Sequence, residues 1–152
     1  MNIDSFENIK EPVGRIMKKI SMLSQTYLQE NLTELDIKRS FYPILLIESG
    51  NGITQQELAG KLSCDKVQVV RIIDYLSSHG YVERIQNRTD KRKYELSITE
   101  KAKKVIPNIR KVFEEIAVDS LKGLSENQRN ELYTMLTMIE TNFLTHKNYS
   151  SK

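Results

Sequence analysis

Residues 66–71 and 84–93 hold the side chains whose types and spacing could do chemistry. Lys66, Val67, Gln68, Val70 and Arg71 fall within six positions of one another. Glutamine and arginine are suited to the edges of adenine and guanine, and a thymine methyl is an apolar partner for an exposed valine. Arg84, Arg88, Lys91, Arg92 and Lys93 are opposed over their ten residues only by Asp90. That is a local charge of +4 in a chain whose net charge is +3. Such a cluster suits phosphates and the electronegative minor groove. Either group alone reads equally as ordinary exposed residues or a solvated charged loop. Their succession favours contact with DNA.

Other chemistries have little support. The one cysteine, Cys64, excludes an intrachain disulfide. It precedes a helix, where a thiol can be activated, but it reads more simply as a small packing residue. His79 and His146 lie far apart in sequence and have no metal-ligand spacing around them. There is no Gly-rich phosphate loop, nucleophile elbow or paired-carboxylate pattern. We therefore expect no metal, no cofactor and no enzymatic activity.

Two short helices and a hairpin must position these residues. Thr54 with Glu57 forms a capping box that opens a helix over about 55–62, carrying Leu58, Ala59 and Leu62. After a turn at Ser63–Cys64, Asp65 caps a second helix reaching about Ser78, with Gln68 placed to return the bond and Gly80 as its left-handed stop. Val69, Ile72, Ile73 and Leu76 recur at i, i+3, i+4 and i+7 and define its buried face. Val67, Val70, Arg71 and Asp74 therefore point the other way, with Gln68 and Tyr75 at the edge. Residues 81–85 and 94–98 alternate as strands, and the polar run QNRTDKRK joins them. This is a helix-turn-helix followed by a β-hairpin wing.

The run from Thr54 to Ala102 resembles the winged helix of the MarR family of bacterial transcription regulators. The motifs are T-x-x-E-L-A (54–59), D-K-x-x-V-x-R-x-I-D-x-L (65–76), G-x-[IV]-x-R (80–84), D-x-R (90–92) and S-[LI]-T-x-[KE] (97–101). They span about a third of the chain. By this resemblance Arg92 enters the minor groove with Asp90 orienting it, while Lys66, Gln68, Val70 and Arg71 face the major groove. Family members often carry small hydroxyl residues where Val67, Gln68 and Val70 stand, which leaves the operator sequence open. The resemblance further implies release by a small aromatic or phenolic effector, with Arg15, Met17, Tyr27, Phe41 and Tyr42 as lining residues by position.

The rest of the chain reads as support for that unit. Residues 1–10 are polar and expected to be loose. Pro12 opens a helix with Val13, Ile16, Ile20, Leu23 and Tyr27 along one seam. Residues 31–36 break it, and another helix ends near Ser49 with Phe41, Ile44, Leu45 and Ile47 as its apolar set. There Pro43 either lies in the first turn of a helix starting near Ser40 or kinks a longer one. Ile53 is expected to form a very short strand against the wing. Thr99 caps a helix carrying Val105, Ile106, Ile109, Val112, Phe113, Ile116 and Leu121, bent at Pro107 and stopped at Gly123. A Ser125–Gln128 capping box starts the last helix, with Leu132, Met135, Leu136, Ile139 and Phe143 on one face, and the chain frays from His146.

A hydrophobic content of 39% and a charged content of 28% are those of a globular chain. No apolar run has bilayer length and no signal-peptide core is evident, so the expected location is cytoplasmic, with no membrane partner. We expect a mainly α fold: an N-terminal dimerisation helix (1–35), a winged helix-turn-helix (36–100) and C-terminal dimerisation helices (101–152), the lobes intertwined. The surplus apolar helices imply a homodimer on a pseudo-palindromic double-stranded operator. A DNA-binding regulator, acting as a repressor, is the expected function. The alternative is a winged helix used for protein association without specific DNA binding.

Overall fold

The computed structural model describes residues 11–37, 40–87 and 89–149. Six helices and one hairpin follow in order: α1 (Val13–Asn31), α2 (Phe41–Gly50), α3 (Gln55–Lys61), α4 (Lys66–Ser78), β1 (Val82–Gln86), β2 (Tyr94–Ile98), α5 (Glu100–Ser120) and α6 (Glu126–Tyr149). By contacts the chain divides into two compact units, 1–116 and 117–152. No helix among the described residues is long and apolar enough to cross a membrane.

In the first unit each element contributes the apolar residues that its periodicity selects. Leu28, Leu32, Ile37, Phe41, Ile44, Ile47, Ile53, Leu58, Val69, Ile73, Leu76, Tyr81, Val82, Leu96, Ala102, Ile106, Ile109 and Val112 form one buried cluster. The early part of α5 thus belongs with the winged helix: Ala102, Ile106, Ile109 and Val112 are the residues it buries there. Pro107 lies inside α5, whose helix runs through it. Two surface contacts add to this attachment. Asn108 donates to Glu34 at 2.9 Å, and Arg110 pairs with Glu48.

Local chemistry explains the helix boundaries. α2 begins at Phe41, so Pro43 is its third residue, where the first turn has no intrahelical N–H bond to lose. The kinked longer helix is excluded. At α3, Glu57 N–H donates to Thr54 Oγ1 (3.3 Å), while Thr54 N–H donates to the Glu57 carboxylate (2.8 Å). Ser125 and Gln128 make the same reciprocal pair at α6. Thr99 Oγ1 accepts from the Ala102 N–H at the start of α5. Gly80, at φ +74°, turns the chain out of α4 in a conformation that a Cβ disfavours.

The hairpin is antiparallel, with Val82 opposite Ile98 and Gln86 opposite Tyr94. The short strand expected at Ile53 is an isolated bridge between Thr54 and Glu95, in which the Ile53 carbonyl accepts from Leu96 N–H at 2.8 Å. α6 stays helical through Tyr149, beyond the fraying expected from His146, because extending a formed helix fixes one residue per added bond. The loose N-terminus expected over residues 1–10 lies outside the described residues.

Val13, Ile16, Ile20 and Leu23 on α1 are exposed in the single chain, and only the last turns of α1 join the core. On α6, Tyr133, Met135, Leu136, Met138, Phe143 and Leu144 are likewise exposed. They occupy more of that helix's circumference than the one face expected from sequence.

Candidate DNA-binding surface

α4 is fixed from behind and at its start. Val69, Ile73 and Leu76 are buried, and the Asp65 carboxylate accepts the Gln68 N–H at 2.8 Å. This is one half of the box anticipated there. The turn ahead of it places Ser63 at φ +49°, a left-handed conformation that the sequence did not signal. Cys64 packs half-buried against the core, as a structural residue would. With one side of α4 committed inward, Lys66, Val67, Gln68 and Arg71 stand exposed and Val70 half-buried. Val67 is 59% exposed, an apolar side chain with no cover in the chain.

The wing presents its cations through a network of internal bonds. Asn87 Oδ1 accepts from Thr89 N–H, Thr89 Oγ1 and Asp90 N–H (2.8, 2.6 and 2.8 Å), and its amide nitrogen donates to Glu95. Gln86 Nε2 donates to the Lys91 carbonyl at 2.6 Å. Asp90, held in this way, accepts the Arg92 N–H at 3.1 Å. Its carboxylate lies 3.6 Å from Arg92 Nε and 3.9 Å from Lys93 Nζ. Arg92 projects with its side chain 94% exposed, and Lys91 and Lys93 are exposed beside it.

Arg84 differs from the other cations in having its partner inside the chain. Its guanidinium donates to Asp74 Oδ1 at 2.6 Å, tying β1 to the exposed face of α4. That bond links the wing to the helix rather than leaving Arg84 as an unpaired cation. Arg88, expected to contribute to the same cluster, lies outside the described residues. Asn87 was not singled out from sequence, where the Asn-x-Thr-Asp spacing was the available signal; Asp74 was placed on the outward face of the helix, but its pairing with Arg84 was not foreseen.

Comparison with known proteins agrees with this geometry. The MarR family model matches residues 44–94. The chain is 25% identical over 146 residues to an uncharacterized HTH-type transcriptional regulator, YybA, of Bacillus subtilis, covering 95% of each. A SlyA-like transcription regulator from Listeria monocytogenes superposes with a TM-score of 0.84 at 26% identity, over 95% of this chain and 96% of that one. A variant of MarR from E. coli, solved in complex with operator DNA, superposes with a TM-score of 0.75 at 27% identity, over 84% of this chain and 93% of that one. Residues 44–94 thus carry the MarR family's match, and the fold is that of the MarR and SlyA transcription regulators.

The five residues expected to line an effector crevice differ in their settings. Phe41 is 2% exposed and part of the core, whereas Tyr42 beside it is exposed with its ring 6.3 Å from that of Phe113. Tyr27 packs partly buried on the core, Met17 is half-buried, and Arg15 pairs with Glu11 at 3.0 Å. Arg15 and Tyr27 are about 18 Å apart along α1. A cavity of about 330 Å³ lies at the end of α1, lined by Gln29, Leu32, Thr33, Glu34, Leu35, Asp36 and Phe41. It shares only Phe41 with the expected set.

Proposed function

We propose that two copies of this chain form a symmetric dimer and bind a pseudo-palindromic operator as a repressor. Each α4 would enter a major groove about one DNA turn from its partner, with each wing reaching the adjacent minor groove. Gln68, Val70 and Arg71 would meet base edges, while Lys66, Lys91, Lys93 and Arg88 supply phosphate contacts. The single observation carrying this reading is the pairing of one exposed face on α4 with a projecting Arg92 that Asp90 steers. The exposed apolar residues of α1 and α6 support the dimer, since an apolar surface of this extent on one chain marks an association site.

The test begins with selection of duplexes from a random pool by the pure protein. Fluorescence anisotropy across a salt series would follow, with sedimentation to count protomers. We expect a dimer binding one two-fold-related sequence tightly, with affinity falling steeply as salt rises. Equal, weak binding of every duplex, or a monomer at micromolar concentration, would overturn the reading in favour of a protein-association module.

A further inference from the structure

The outward stripe of α4 has two unlike ends. Val67, Arg71, Asp74 and Ser78 follow one another at i, i+4, i+7 and i+11, and all four are exposed, opposite the buried Val69, Ile73 and Leu76. Asp74, towards the C-terminal end, is bonded to Arg84 of the wing at 2.6 Å. Val67 is the second residue of the helix and is 59% exposed. Among the described residues of α4 it is the one large apolar side chain that stands exposed. Cations flank it: Lys66 precedes it in the chain, and Arg71 lies one turn along the same stripe.

That position and that side chain restrict what Val67 can recognise. The N-terminal part of a recognition helix is the part that contacts base edges. A valine neither donates nor accepts a hydrogen bond, so it tells base pairs apart only by apolar contact. In the major groove the base edges present donors and acceptors, and the apolar group among them is the C5 methyl of thymine. Cytosine methylated at C5 carries the same group at the same place. In the free chain the Val67 side chain meets water, and covering it with a methyl group is favourable. Its χ1 is held to one rotamer by the helix, so little freedom is lost on contact.

We propose that Val67 is a specificity-determining residue that reads the 5-methyl group of one pyrimidine in each half-site. This rests on the DNA-binding reading above and names a base group that the site selects. Lys66 and Arg71 bring charge to the contact, whereas Val67 brings none. Val67 therefore sets preference between sequences without altering the response to salt. In DNA that lacks methylated cytosine, the pyrimidine is thymine.

The experiment compares the full-length wild type with Val67→Ala on a duplex that the wild type selects from random DNA. The substituted side chain is exposed and alanine is the better helix former, so the variant keeps its fold, which melting curves check. Deoxyuridine replaces thymidine one position at a time, removing the methyl group and leaving base pairing intact. Fluorescence anisotropy gives the affinities. At one thymine of each half-site the wild type should lose about fourfold, or about fifteenfold with both half-sites changed. Val67→Ala should bind the unmodified duplex more weakly by a similar factor and lose the penalty at those positions. It should keep any penalty found elsewhere and show the wild-type salt slope. With a C·G pair in place of that T·A pair, 5-methylcytosine should bind better than cytosine to the wild type but not to Val67→Ala.

A wild type indifferent to deoxyuridine at every thymine would overturn the assignment and leave the DNA reading in place. So would a Val67→Ala variant with the wild-type pattern of penalties, or 5-methylcytosine no better than cytosine for the wild type. Failure to select any duplex, or equal binding of all of them, would overturn the DNA reading and this assignment with it.

Discussion

Removing the Arg92 side chain gives the sharpest separation between folding and DNA binding. In the free chain this side chain is 94% exposed, and its one ion pair, with Asp90 at 3.6 Å, joins two solvent-accessible groups. Such a pair contributes under about 1 kcal/mol, and a surface substitution of this kind changes stability by about 0.5 kcal/mol or less. Arg92→Ala should therefore melt within about 2 °C of wild type. On DNA the proposed dimer has two such arginines. Taking a specific arginine contact at the low end of its usual range, about 1–1.5 kcal/mol, the dimer loses about 2–3 kcal/mol, or roughly 30- to 150-fold in Kd. If each arginine also neutralises one phosphate, the slope of log K against log salt becomes shallower by about 2. Asp90→Ala separates steering from charge. It removes the acceptor of the Arg92 N–H together with a negative charge facing the phosphates, so nonspecific affinity should rise while the ratio of specific to nonspecific binding falls. Anisotropy titrations with selected and scrambled duplexes at four salt concentrations measure all these quantities. Wild-type affinity and salt slope in Arg92→Ala would refute the reasoning, as would a fall in melting temperature of several degrees.

Two further outcomes follow from the supporting structure. Gly80→Ala places a Cβ in ordinary van der Waals contact, the nearest neighbour being Lys101 Cδ at 3.9 Å, so the cost is that of a left-handed backbone alone. That is about 1–2 kcal/mol, or roughly 2–8 °C in Tm, and an unchanged melt would count against the φ of +74° being required. The Thr54 backbone N–H, followed by its hydroxyl, holds the Glu57 carboxyl below its ordinary value of 4.5. A depressed carboxylate stabilises the fold above that value and loses the contribution as pH falls through it and below. Glu57→Gln should thus be less stable than wild type at pH 7, with the gap closing below about pH 4.5. A gap constant from pH 3 to pH 7 in urea titrations would exclude this role.

The winged helix was legible in the sequence because its signals are local. Thr54–Glu57, Asp65 and Gly80 act within a few residues, and the spacing of Val69, Ile73 and Leu76 selects the buried face by itself. Pro43 was ambiguous for the opposite reason: whether it opens or kinks a helix depends on where the preceding chain is packed, and the burial of Leu32, Ile37 and Phe41 decides that. The left-handed Ser63 gave no warning, since nothing in a serine announces positive φ. On α1 and α6, a periodic apolar seam in sequence does not say whether its partner lies in the same chain.

The binding surface was legible in its composition but not in its pairings. Counting charges from Arg84 to Lys93 gave +4, yet the count treats every cation as available. In the folded chain Arg84 is held by Asp74 from a different element, ten residues back, while Asp90 stays beside Arg92 and Lys93. The cluster therefore divides into one cation that braces the wing against α4 and others that project from the tip. Asp74 reads from sequence as an outward residue on the same face of α4 as Arg71. Its bond to Arg84 pairs the carboxylate within the chain and ties α4 to the wing. An aspartate on the outward face of a helix is thus compatible with a cationic wing when an arginine within the following strand reaches it.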